Sequence, residues 1–164
     1  MRYSAGREHR VRGESMAEEE MTAVLDRARG LLARLQDAKV PVQFMMVTPD
    51  VDGEPRILLE TPLFSEIGPL KTYDYFVRLA DALHDDDLIA EDLVLILPGS
   101  PLAEAITRMF GGAVVKDSLF SDTRVGDVML NGTIVLSRRR FTKRDLSSSV
   151  KQMKARIREI EAAA

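Results

Sequence analysis

Apolar positions recur along this chain with two periods, and each period marks an element. Between Met16 and Lys39 the residues Met21, Val24, Ala28, Leu31, Leu35 and Ala38 fall three and four apart, with Leu25 and Leu32 widening the stripe. That spacing predicts an amphipathic helix, because every third or fourth side chain of a helix shares a face. Ser15 and Glu18 have the spacing of a capping box at its start, and Pro41 stands just past its end. Leu146, Val150, Met153, Ile157 and Ile160 predict a second such helix, opened by Thr142 and Asp145. The chain therefore carries N- and C-terminal amphipathic helices.

Between them the pattern changes. Val42 to Val47 reads as a buried strand, Asp52-Gly53 as a turn, and Ile57 to Glu60 as the returning strand. Residues 61–70 hold two prolines and a glycine, which predicts a loop, although its Leu63, Phe64 and Ile67 need cover. Thr72 is placed to cap a helix running to about Asp85. Leu93 to Leu97 predicts a strand covered on both faces. Ser100 and Pro101 open a short helix to Phe110, which Gly111-Gly112 ends. Val128–Leu130 and Thr133–Leu136, separated by Asn131-Gly132, predict a hairpin, since Asn-Gly accepts the positive φ of a type I′ turn. The order of elements implies an α+β (or α/β) fold with a mixed β-sheet of about five strands and flanking helices.

Length and composition narrow this further. With 164 residues, 45% hydrophobic and 30% charged, the chain suits one globular domain. We place that domain at 15–164, after a disordered leader at 1–14 that has no periodicity. There is no cysteine, which excludes a disulfide scaffold and a zinc ribbon. The longest aliphatic run, Leu93 to Leu97, is far below the roughly 20 residues of a membrane span, so no membrane association is expected. No apolar segment follows the N-terminal arginines, which predicts a cytoplasmic protein.

The formal net charge of −3 conceals a division. From Asp74 to Asp92 seven acids stand against Arg78 alone, and from Arg138 to Arg158 nine bases stand against Asp145 alone. Phosphate binding needs such a run of cations. Arg138, Arg139, Arg140, Lys143 and Arg144 are therefore candidate polyanion-binding residues, with Phe141 available to stack on a base. The alternative is that the basic stretch meets the acidic one, within the chain or across a dimer.

The remaining candidates are weaker in chemistry. Gly99 and Ser100 begin a helix after a strand, where free N–H groups suit an anion. Ser100 makes a poor nucleophile, because Pro101 removes the backbone donor an oxyanion hole would use. Asp81, His84 and Asp85 share one helix end, but no second histidine stands nearby to complete a zinc set. Asp50-Val51-Asp52-Gly53 departs from a calcium loop in the position of its glycine. No catalytic set, metal site or cofactor motif emerges. The sequence predicts a non-catalytic, small intracellular interaction or regulatory module that is oligomeric through self-association or a protein partner, with Leu63, Phe64 and Ile67 as its interaction loop. The alternative is nucleic-acid or other polyanion binding through residues 138–158. A second alternative is a small enzyme with a site near Asp81 and His84 or at the Gly99-Ser100 turn.

Overall fold

The computed structural model describes the backbone of residues 5–164 and the side chains from residue 17 onward. Its centre is a five-stranded mixed sheet. Helix α1 spans Ala5–Asp37, β1 Phe44–Pro49 and β2 Pro55–Glu60. A short helix α2 (Leu63–Ile67) leads into α3 (Pro69–Leu83), then a 3-10 turn (Asp86–Ile89) and β3 (Leu93–Leu95). Helix α4 (Pro101–Phe110) precedes β4 (Val115–Phe120), β5 (Thr123–Val125), β6 (Val128–Leu130) and β7 (Thr133–Arg138), and α5 (Lys143–Ala163) closes the chain. The strand order is β3-β2-β1-β7-β4, with β2 and β3 parallel and the other pairs antiparallel; β5 and β6 form a separate ribbon.

Alternation along the central strands builds two cores, one on each face. Met45, Val47, Ile57, Leu59 and Leu136 pack under α1, α3 and α5. Phe44, Met46 and Val135 face the other way, under α4 and the β5–β6 ribbon. Both terminal helices bury their stripes in the first core: Ala28, Leu31 and Leu35 from α1, Met153 and Ile157 from α5. Their repeats are thus satisfied by the domain's own sheet rather than by a coiled coil.

Several local expectations are corrected. Helix α1 begins ahead of Ser15, so the expected capping box lies inside it. Once packed turns nucleate a helix, each added residue costs little, and Gly13 alone does not stop it. Of the leader expected at 1–14, residues 1–4 lie outside the described residues, and the backbone of the rest continues the helix. The 61–70 segment is helical rather than a loop. Pro69, whose fixed φ suits a first helical turn, starts α3 before Thr72. Thr72 is buried, and its hydroxyl donates to the Gly68 carbonyl at 2.8 Å. The expected Asn131-Gly132 hairpin does not form. Strand β7 already has β1 and β4 on its two edges, so β6 turns back through Gly126-Asp127 to pair with β5. Strand β3 is an edge strand, with Val94 exposed, and not the fully covered strand expected.

Helix α1 ends in an unusual closure. Lys39 adopts the left-handed region at φ 61°. The Lys39 N–H donates to the Gln36 carbonyl and the Val40 N–H to that of Leu35, a Schellman closure. Glycine is the usual residue at this position, because a Cβ there costs on the order of 1 kcal/mol.

Candidate polyanion interface

Strand β7 delivers the basic run. Its last residue, Arg138, lies in a cross-strand row with Glu60, Phe44 and Val115. Arg138 is only 2% exposed and its Nη1 donates to the Ala113 carbonyl at 3.2 Å. Burial lowers its pKa, the charge of Arg140 adds to this, and Glu60 opposes it. Glu60 is buried as well, and desolvation raises its pKa to about 7 against the pull of Arg138. Arg138 is therefore an internal residue of the sheet and presents no cation to solvent.

The other candidates emerge onto the surface. Arg139 is anchored by its backbone N–H, which donates to the Gln43 carbonyl at 2.8 Å, and its guanidinium lies 4.8 Å over the ring of Phe141. That cation–π contact occupies a face of Phe141 that would otherwise stack on a base. Arg140, Lys143 and Arg144 are exposed. The capping box of α5 forms as expected: the Asp145 N–H donates to Thr142 Oγ1 at 3.1 Å and the Thr142 N–H to Asp145 Oδ2 at 3.4 Å. The Thr142 hydroxyl also donates to Asp145, which holds that carboxyl below its usual range.

Helix geometry then orders the charges. At about 100° per residue, Lys143, Arg144, Lys151, Lys154 and Arg158 fall within an arc of about 100°. They run along about 22 Å of α5, at 1.5 Å per residue. Leu146, Met153 and Ile157 point into the core beside this stripe. Arg156 lies on the other flank, bonded to Asp37 at 3.0 Å and Glu159 at 3.1 Å.

The acidic stretch is answered from elsewhere. Arg27 pairs with Asp87 and Asp92, and Arg34 with Asp85 and Asp87, so α1 neutralises the 3-10 turn and its surroundings. Arg78 makes a two-pronged contact to Glu161 of α5 at 2.8 and 2.9 Å, which holds that carboxyl below its ordinary pKa. By contrast, Arg139, Arg140, Lys143, Arg144, Lys151, Lys154 and Arg158 form no salt bridge among the described residues. The two charged blocks do not cancel each other.

The remaining candidate residues serve the fold. Ser100 caps α4, accepting from the Ala103 N–H at 3.3 Å, while its own N–H donates to Leu97 and Pro101 has none to offer. Gly99 supplies the positive φ of 77° that the turn needs. Leu63 and Phe64 are core residues at 0% and 6% exposure, and Ile67 is partly covered, so they form no interaction loop. His84 closes α3 in the left-handed region, while Asp85 turns to Arg34; these residues do not converge with Asp81 on a common point. Asp50 accepts from the Asp52 and Glu54 N–H groups and from Arg56, as a hairpin turn does.

One apolar surface stays uncovered on a helix whose apolar residues the sequence assigns to a buried stripe. Leu70, Tyr73 and Val77, three and four apart on α3, are exposed by 84%, 50% and 46%. Among the described residues no helix is long and apolar enough to cross a membrane. No family model, curated protein or solved structure matches the chain.

Proposed function

We propose that the protein is a non-catalytic interaction module that binds a polyanion, nucleic acid foremost, along the β7–α5 connection and the cationic stripe of α5. The supporting observation is the uncompensated stripe itself, a row of cations kept on one flank while Asp74, Asp85, Asp87 and Asp92 of the acidic stretch are paired by other arginines. A linear array of phosphates matches such a row, and its released counterions drive binding. Arg139 and Arg140 extend the row at the end of β7, and the capping box fixes the start of the helix that carries the rest.

The test is fluorescence anisotropy of a labelled oligonucleotide titrated with the full chain across roughly 50 to 200 mM salt. Affinity should fall steeply with salt. Replacing Lys151, Lys154 and Arg158 by Gln should reduce the magnitude of the logarithmic salt slope by about 3. Binding that ignores salt, or a triple variant that binds as the parent does, would end this reading. A second reading, self-association, is supported by Leu70, Tyr73 and Val77. A light-scattering mass that stays monomeric at high protein concentration, unchanged in Tyr73→Glu, would remove it.

A further inference from the structure

We infer that the cleft between the end of α1, the end of β7 and the middle of α5 binds a small dianion of the phosphate-monoester class. Its volume is about 310 Å³, at the lower end of small-molecule sites and so suited to an anionic head with a compact organic part. Six polar side chains line it: Gln36 and Lys39 from α1 and its closure, Ser137 and Arg139 from β7 and its extension, Ser149 and Gln152 from α5. Each can donate a hydrogen bond, two are cations from separate elements, and no carboxylate lines the cleft. Val40, Pro41 and Val42 add apolar lining for the organic part.

The charges are arranged to stay available. Asp37, the acid next to this lining in sequence, is held by Arg156 at 3.0 Å. Arg139 is fixed over Phe141, so its planar donor fork is positioned before any ligand arrives, and an arginine fork matches phosphate oxygens in pairs. Lys39 is the most telling residue. It occupies the left-handed closing position of α1, where glycine would be favoured, and it brings a cation to the cleft wall.

This site shares Arg139 with the polyanion face and is otherwise distinct from it. Ser149 and Gln152 lie about 150° round α5 from the Lys151–Lys154–Arg158 stripe. Lys39 belongs only to the cleft.

Isothermal titration of the full chain with phenyl phosphate and with inorganic phosphate, against chloride at matched ionic strength, tests the inference. Saturable binding of phenyl phosphate is expected, with Lys39→Gly and Arg139→Gln each weakening it about tenfold or more. Lys39→Gly should fold with an unchanged or raised Tm, because glycine fits the left-handed closure better, so its lost binding would not reflect lost structure. The Lys151, Lys154 and Arg158 triple Gln variant should keep phenyl phosphate binding. Absence of saturable binding, or a Lys39→Gly protein that binds as tightly as the parent, overturns the proposal.

Discussion

Glu60 should make the stability of this fold depend on pH in a defined window. The carboxyl is 6% exposed, in one row with Phe44 and Arg138, and burial raises its pKa from 4.5 to about 7. The folded state therefore holds the Glu60 proton more tightly than the unfolded chain does. Stability from this group is fully present below about 4.5, declines as pH rises, and levels off above about 7. At about 1.4 kcal/mol per pH unit the whole decline is on the order of 3 kcal/mol. Glu60→Gln keeps the shape of the protonated acid and removes the titration. Urea unfolding of both proteins at a series of pH values isolates the effect. Asp50, Asp145 and Glu161 have pKa values below their ordinary ones, so they weaken the fold as pH falls, but they do so in both proteins and cancel in the difference. The advantage of the variant should grow by about 3 kcal/mol between pH 4.5 and 7. Parallel curves for the two proteins across that window would refute the assignment.

Two further outcomes rest on packing and capping. Leu31→Ala, at a fully buried position under the sheet, should cost about 2–5 kcal/mol in urea unfolding, and a loss under about 1 kcal/mol would contradict the packing described. Thr142→Ala removes the hydroxyl that accepts from the Asp145 N–H and donates to the Asp145 carboxylate, leaving only the Thr142 N–H bond of the α5 capping box, and should cost about 1 kcal/mol. Through fraying of the turn that carries Lys143 and Arg144, it should also lower oligonucleotide affinity; an unaltered Tm would count against the cap.

The fold was legible where local pattern and tertiary packing agree. Stripes on α1 and α5 are long enough that only one face can be apolar, and both faces of β1 are covered, as its unbroken apolar run indicates. Pairing partners were not legible. Asn131-Gly132 has the chemistry of a tight hairpin, yet β7 finds its partners in β1 and β4. Turn chemistry is local, whereas strand pairing is decided by which edges remain free. Similarly, Leu63 and Phe64 read as uncovered because nothing local covers them; Leu63 finds its cover in the core beneath α1 and α3, and Phe64 meets Tyr73 edge-on. The basic run was visible as composition, but its division was not. Arg138 alternates inward with the strand period, while the residues after it leave the sheet. Lys39 gave no signal, because its role depends on β7 and α5 meeting the end of α1 in space.

The place of β1 in the sheet has a consequence for how the chain is made. One edge of β1 is closed by β2, its neighbour in sequence, and the other by β7, with Met46 opposite Val135. During synthesis from the N-terminus, the first edge can zip as soon as the hairpin leaves the ribosome. The second stays open until Thr133–Arg138 has emerged, leaving that one edge of Phe44–Val47 unpaired for the interval. An apolar strand with a free edge is a template for aggregation. A chain halted before Thr133 should therefore be sticky rather than merely unfinished, and full-length yield in cells should depend on holdase chaperones until β7 arrives.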